Sequence, residues 1–223
     1  MFARVPSRDQ DLAWLRQALG IDHLRFRRGR GAREAPGHWA TGPAPLRRYA
    51  AAVDTFLAIA SKREVRSYAD RLLPDESQRR ILDAGRVAGS SANRQRSRFV
   101  VVTDRDRLER LAETVYTPDN VRGAQLAVAI AVHGKGPTSF DAGRAAQNMM
   151  LAAWNEGVGS CPNGMPDRAA TAQVLGLREG EEPAIVLTFG YPDRPRRDPE
   201  SQPADAWVAA ADRKPFEEVV ERH

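Results

Sequence analysis

Apolar positions recur along this 223-residue chain with two spacings, one typical of amphipathic helices and the other typical of buried strands. The helical spacing predicts helices at residues 9–20, 73–89, 104–116, 141–157 and 167–177, and one more that runs through Phe56, Leu57 and Ile59. Short apolar or β-branched runs predict strands at residues 98–103, 126–134 and 183–192. Strands that alternate with helices over long connections indicate an α/β or α+β layered domain.

Charge divides the chain near residue 50. Residues 1–50 hold ten Arg and four acidic residues, a net charge of +6, whereas the whole chain carries +5 and residues 51–223 therefore carry −1. This division predicts an Arg-rich, partly irregular extension at 1–50 and one folded domain at 51–223. Such an arm could bind nucleic acid or anionic lipid. Its Gly and Pro content and its few aromatic residues favour a solvated tail, or an arm that wraps a partner subunit.

Side chains with catalytic or metal-binding potential are sparse. Cys161 is the single cysteine, which excludes an intramolecular disulfide and favours a reducing cytoplasm. The four histidines are scattered, so no metal site is predicted. No secretory signal or membrane span is expected, because the longest mostly apolar run covers only residues 124–132. No nucleophile–base pair is recognisable, so an enzyme of this sequence would rely on the reactive atoms of a bound cofactor.

Three polar segments are candidates for ligand binding. Residues 61–70, SKREVRSYAD, crowd Lys62, Arg63 and Arg66 together after an apolar helix, and such a cluster suits an anion. Residues 88–95, AGSSANRQ, could cradle a polar ligand edge or act only as a helix C-cap, and Gly89 permits a left-handed turn there. Residues 157–166, GVGSCPNGMP, are expected to form an unusual turn with exposed amides.

These segments, in this order, resemble the nitroreductase family of flavin-dependent oxidoreductases over roughly three quarters of the chain, from about Asp54 to the C-terminus. Each motif is weak alone, and their ordered combination is specific. The matching segments are KREVRSY (62–68), AGSSANRQ (88–95), DAGRAAQNMMLAAWNEGVGSC (141–161), VLGL (174–177) and FGYP (189–192).

The resemblance implies an α+β three-layer sandwich, in which helices flank a mainly antiparallel sheet, and an intertwined homodimer with FMN at the subunit interface. It also implies an enzyme that passes hydride from NAD(P)H through flavin N5 to an electron-poor acceptor such as a nitroaromatic or a quinone. Two alternatives stay open. One is a flavoenzyme of the same fold with another reaction, such as consuming reduced flavin with oxygen or dehalogenating a substrate, and the other is a nucleic-acid-binding protein that uses the basic arm.

Carried over residue by residue, the resemblance implies ten cofactor-binding residues, no catalytic side chain and no metal ligand. Four cations would hold the FMN phosphate, namely Lys62, Arg63, Arg66 and Arg213. The ribityl chain and the ring edge would contact residues of the other subunit, namely Ser90, Ser91 and Asn93. The flavin ring, with a backbone N–H directed at N5, would lie near Pro162, Asn163 and Gly164.

The chain departs from the family pattern at three places. Glu64 stands where the family often has Ser, and a carboxylate beside a phosphate would repel it, so Glu64 is expected to point away or to pair with an Arg. The sequence Gln95-Arg96-Ser97 replaces a common Gln-Pro-Trp. The helical insertion that shapes the substrate pocket in many members is short, because only about ten residues separate Tyr116 from the strand predicted at 126.

Overall fold

The computed structural model describes residues 54–223, so the helix predicted at 9–20 and the extension predicted at 1–50 lie outside the described residues. Four strands form one antiparallel sheet in the order β1-β2-β4-β3. They are β1 (Ser97–Val102), β2 (Leu126–His133), β3 (Gly159–Asn163) and β4 (Glu181–Gly190). The three predicted strands are confirmed as β1, β2 and β4, whereas β3 was expected to be a turn.

Eight α-helices surround the sheet in the described part of the chain. They are α1 (Thr55–Ser61), α2 (Asp75–Arg86), α3 (Arg105–Ala112), α4 (Pro118–Arg122), α5 (Thr138–Asn155), α6 (Arg168–Leu175), α7 (Ala204–Ala209) and α8 (Phe216–Val219). Several of these helices have an Asp N-cap, whose side-chain carboxylate accepts a hydrogen bond from an otherwise unpaired N–H of the first turn. Asp54 accepts from Phe56, and Asp167 accepts from Ala170, both at 2.9 Å. No helix within residues 54–223 has the length and apolarity to cross a membrane.

The sheet lies between two helical layers. One face, which includes Val128 and Leu187, packs against α2 and α5. The opposite face, which includes Ala129 and Val186, packs against α3, α4 and α6. Strand alternation therefore supplies two separate cores, one on each side of the sheet. This arrangement confirms the predicted α+β three-layer sandwich with an antiparallel sheet.

Helices α2 and α5 approach closely on the first face. A Cβ atom added to Gly85 would lie 2.1 Å from Met149 Cε, so a larger residue would require the buried Met149 side chain to move. Small residues on α5 explain the rest of this contact, because Ala142, Ala145 and Ala153 are buried in the same core.

Helix α2 ends at Arg86 rather than at the predicted Gly89, and α5 begins at Thr138, three residues before the predicted Asp141. Gly89 does not adopt the left-handed conformation that glycine permits. Nearby positive φ angles belong instead to Ala92, Asn93 and Gln95, at 49°, 51° and 50°.

Strand β3 forms although its residues, Gly-Ser-Cys-Pro-Asn, have low strand propensity. A buried polar cluster compensates for that propensity. The side-chain amide of Asn163 donates to the Cys161 carbonyl at 3.0 Å and to Thr188 Oγ1 at 3.2 Å, while its oxygen accepts from Asn120 Nδ2 at 2.9 Å. These bonds tie the edge strand to β4 and to α4, so tertiary hydrogen bonding determines the conformation here.

Tyr68 extends this polar cluster across the sheet. Its hydroxyl donates to the Val65 carbonyl at 2.7 Å and lies 2.9 Å from Thr188 Oγ1. Burial raises the pKa of Tyr68, so its phenol remains protonated and available as a donor throughout the physiological range. Residues 65–68 are thereby connected to β4 and, through Thr188, to β3.

An ion pair joins the sheet at its other end. Arg98 Nε donates to Glu181 Oε1 at 2.7 Å, and the second guanidinium nitrogen bonds the other carboxylate oxygen. This pair lowers the pKa of Glu181 to about 2, against an ordinary value of 4.5, and a hydrogen bond from the Arg178 backbone N–H adds to the effect. The bidentate contact connects β1 to β4 across β2.

Replacing Thr188 with Val keeps the side chain's shape and removes its hydroxyl, so Tyr68 and Asn163 each lose a hydrogen-bond partner. We expect the free energy of unfolding to fall by about 1–3 kcal/mol. Thr188→Ser keeps the hydroxyl and loses one methyl group, and it should cost less. Urea denaturation of the three proteins makes the comparison. A Val variant as stable as the Ser variant would contradict the role assigned to the hydroxyl.

The Glu181 carboxylate stabilises the fold above its unfolded pKa of about 4.5, and this contribution disappears as the pH falls toward the folded value of about 2. Glu181→Gln should therefore lower the free energy of unfolding by about 1–3 kcal/mol at pH 7. Between pH 5 and pH 2, the stability of this variant should fall less steeply than that of the wild type. Thermal unfolding across this pH range measures both effects. Its control is Glu182→Gln, which neutralises the exposed neighbour and should change little.

Candidate functional site

The cationic segment, residues 62–66, follows α1 and has no regular secondary structure. The Val65 N–H donates to the Ser160 carbonyl of β3 at 3.0 Å. The Val65 side chain lies over Gly159, where an added Cβ atom would approach within 2.6 Å. The segment is thus held directly against the edge strand, at a place where only glycine leaves room.

Both ends of the cationic segment are fixed. Before it, the Trp154 indole of α5 donates to the buried Ser61 hydroxyl at 3.1 Å. After it, Tyr68 packs on Gly190, the residue paired with Gly159 in the sheet, and an added Cβ atom there would lie 2.8 Å from the ring. The two ends fix the path of the backbone, so the cations project from a defined position.

The Lys62 side chain is only 7% exposed. Its ammonium forms an ion pair with Glu64 Oε1 at 2.6 Å and lies 3.6 Å from Met150 Sδ of α5. Glu64 therefore pairs with Lys62, rather than with an Arg or with solvent alone.

The Arg63 guanidinium points toward α7. Its guanidinium donates to the carbonyls of Ala60 at 2.6 Å, Lys62 at 2.9 Å and Trp207 at 3.0 Å, and it stacks on the Trp207 ring at 5.3 Å from the centroid. These contacts anchor α7 to the end of α1. The side chain supplies positive charge to the site, while most of its donor capacity is occupied.

Arg66 is exposed, and its positive charge lies near the Cys161 thiol. Burial raises the pKa of that thiol, so Cys161 stays protonated near neutral pH and is a poor nucleophile. Arg213, the fourth predicted cation, is also exposed, and its guanidinium donates to the Ala211 carbonyl at 2.8 Å in its own loop.

The second predicted group lies at the end of β3. Pro162 and Gly164 are exposed, whereas Asn163 is buried as a whole and its side chain lies in the polar cluster. Pro162 has no N–H, which restricts the backbone donors of this group to Asn163 and Gly164. Tyr116, 73% exposed, stands beside Gly164 and donates its own N–H to the Gly164 carbonyl at 3.0 Å.

The third predicted group lies in the loop after α2. Its backbone is secured by the carboxylate of Asp141, which accepts from the Ser91 N–H at 3.1 Å, and by the Ser90 hydroxyl, which accepts from the Gln95 N–H at 2.9 Å. Asn93 is exposed and left-handed. Consecutive left-handed residues other than glycine cost energy, so this loop is held in shape by its surroundings.

The structure brings the cationic segment and the end of β3 together, whereas Arg213 bonds within its own loop and the third group lies apart within one protomer. The cationic segment contacts α5 at Met150, whereas the Ser90–Asn93 loop contacts it at Asp141. Nine helical residues separate these positions, which is about 13 Å along the axis. A single protomer therefore does not assemble all three groups around one point.

Two residues that shape the site were missed in the sequence. Trp207 contacts Arg63 from 144 positions further along the chain, and no local pattern links them. Asn120, which holds the side chain of Asn163, lies on the five-residue α4, too short to show a helical period. Within residues 54–223, no group of three or more His, Cys, Asp or Glu side chains is placed to hold a metal.

Comparison with known proteins relates this architecture to curated sequences. A protein of Archaeoglobus fulgidus, provisionally described as an NADH dehydrogenase/NAD(P)H nitroreductase, is 31% identical over 144 residues, which cover 60% of this chain and 83% of that protein. A protein of Methanothermobacter thermautotrophicus with the same description is 30% identical over 149 residues, covering 63% and 78%.

Solved structures share the fold. A Desulfovibrio desulfuricans protein, provisionally described as a nitroreductase and crystallised in complex with FMN, superposes with a TM-score of 0.65 at 27% identity, covering 76% of this chain and 97% of its own. The NADPH:FMN oxidoreductase of Vibrio harveyi, crystallised with NAD+, gives a TM-score of 0.62 at 24% identity and covers 74% and 75%.

A family model agrees with these similarities and with the predicted resemblance. The model described as the nitroreductase family matches residues 59–135 and 118–191, more than half of the chain. This chain therefore belongs to the nitroreductase family.

Proposed function

We propose that this chain is an FMN-dependent oxidoreductase that takes hydride from NAD(P)H and delivers it to an electron-poor acceptor such as a nitroaromatic or a quinone. One observation carries the proposal. The backbone hydrogen bond between Val65 and Ser160 holds three cations and the end of β3 at the same edge of the sheet. Family membership and the FMN complex of the Desulfovibrio relative support it.

The cations suit the phosphate end of FMN. A phosphate monoester carries nearly two negative charges at neutral pH, and Lys and Arg are its usual partners. Arg66 is exposed, and Lys62 can release Glu64, so these two would contact the phosphate, while Arg63 would contribute charge beside them. Arg213 would join them from the C-terminal segment, as the family resemblance implies.

The end of β3 suits the flavin ring. When bound, FMN supplies N5, the atom that accepts and returns hydride. The chain would place the Asn163 and Gly164 backbone beside that atom, with Pro162 on the same exposed edge. Because Asn163 is locked by Asn120 and Thr188, this backbone is pre-organised and need not be ordered at binding.

The third group is assigned to a second copy of the chain. We propose a homodimer in which Ser90, Ser91 and Asn93 of each protomer complete the site of the other, as the family resemblance implies, and the separation of this loop from the cationic segment along α5 supports it. The outer face of α5 beside this loop is a shallow groove with an exposed Phe140, and it would be covered by the partner. The groove is lined by Ser139, Phe140, Gly143, Arg144, Gln147 and Asn148.

The direct test begins with the colour of the purified full-length chain. We expect bound FMN, which NAD(P)H bleaches in the absence of oxygen and which a nitroaromatic or quinone restores, with the parallel-line kinetics of a ping-pong reaction. A colourless protein that takes up no added FMN would overturn the proposal. Oxygen-dependent breakdown of the flavin, or halide release from a halogenated substrate, would instead identify one of the same-fold alternatives.

Arg66 provides a test of the phosphate assignment, and it avoids Arg63, whose loss would also release α7. Arg66→Ala should weaken FMN binding by about 10- to 100-fold, since a hydrogen bond to a charged group contributes about 1.5–3 kcal/mol. Riboflavin, which lacks the phosphate, should bind both proteins equally in a fluorescence titration. Arg110→Ala, at an exposed position on α3, is the matched control. An equal loss of FMN and riboflavin affinity would contradict the assignment.

A further inference from the structure

The Lys62–Glu64 ion pair has an uneven environment. The Lys62 side chain is 7% exposed and packed against Met150, whereas that of Glu64 is 35% exposed. Movement of the Glu64 side chain alone, into adjoining solvent, would open the pair. The ammonium would remain in place with its charge uncovered.

The nearby cations leave Glu64 few other partners. Arg63 donates to three backbone carbonyls and stacks on Trp207, so it could turn to Glu64 only by releasing α7. Arg66 and Glu64 both act electrostatically on the Cys161 thiol, yet the Glu64 carboxylate pairs with Lys62, at 2.6 Å. The carboxylate therefore occupies Lys62, which is one of the cations best placed for an incoming anion.

A buried ammonium without a counter-charge is costly, so Glu64 stabilises the ligand-free chain by neutralising Lys62. The same carboxylate opposes a dianionic ligand, because it both occupies the cation and repels the phosphate. Glu64 thus stabilises the empty protein and lowers its affinity for a phosphate.

From this geometry we infer that Glu64 is a resident counter-anion, which a phosphate monoester must displace from Lys62 in order to bind. The inference rests on the proposed function, and it assigns Glu64 as the residue that sets the preference for phosphorylated over unphosphorylated flavin. FMN must displace the carboxylate, whereas riboflavin can bind with the ion pair intact. The ratio of FMN affinity to riboflavin affinity is therefore smaller in this chain than its cations alone would produce.

The test compares FMN and riboflavin binding to the flavin-free full-length chain and to Glu64→Gln, which keeps a hydrogen-bond acceptor for Lys62 and removes the charge. We expect FMN affinity to rise by about tenfold, while riboflavin affinity stays within about twofold. The melting temperature of the flavin-free variant should fall. A residue with a purely structural role would instead lower stability and both affinities together.

Two variants control for charge and for side-chain identity. Glu76→Gln removes a charge from an exposed pair with Arg80 on α2 and should leave both affinities unchanged. Glu64→Asp keeps the charge and should retain a wild-type ratio of FMN to riboflavin affinity. If Glu64→Gln leaves that ratio unchanged or weakens FMN, the inference fails while the proposed function stands. If neither wild type nor variant binds any flavin, both fail.

Discussion

The close approach of residues 65–68 to the paired glycines 159 and 190 is the constraint on which the candidate site depends. Val65 and Tyr68 occupy the space that side chains on these glycines would fill. That contact sets the position of the cationic segment relative to β3. The Tyr68 hydroxyl then joins the segment to Thr188, and through it to the polar cluster that fixes Asn163. Both ends of the proposed ligand site are therefore held by one connected set of buried contacts.

The cations that give the site its positive charge, Lys62 and Arg63, already have partners in the ligand-free chain. Arg63 is neutralised in part by carbonyl oxygens and an indole face, and Lys62 by the Glu64 carboxylate. Arg63 thereby couples the site to α7, a helix that otherwise has no role in it. The arrangement illustrates a general compromise, in which the groups that attract a ligand must also be satisfied before the ligand arrives.

Local sequence signals predicted much of this fold. Helices α2, α3, α5 and α6 and three strands follow from periodicity, caps and β-branched runs, since those signals lie within the elements themselves. Strand β3 was missed because Asn163, Thr188 and Asn120 stabilise it across long sequence separations. Among the site residues, the cluster at Lys62 was visible because its charges adjoin in sequence. Its pairing with Glu64 and the orientation of Arg63 toward Trp207 depend on packing that only the folded chain displays.

The short connection between α3 and β2 has a consequence for the range of molecules that the site admits. Helix α4 spans only Pro118–Arg122, and the phenol ring of Tyr116 projects into solvent beside Gly164. Under the proposed function, an acceptor arriving at this edge of the protomer meets the aromatic surface of Tyr116 beside the end of β3. A planar electron-poor molecule can stack on that surface while it lies next to the flavin.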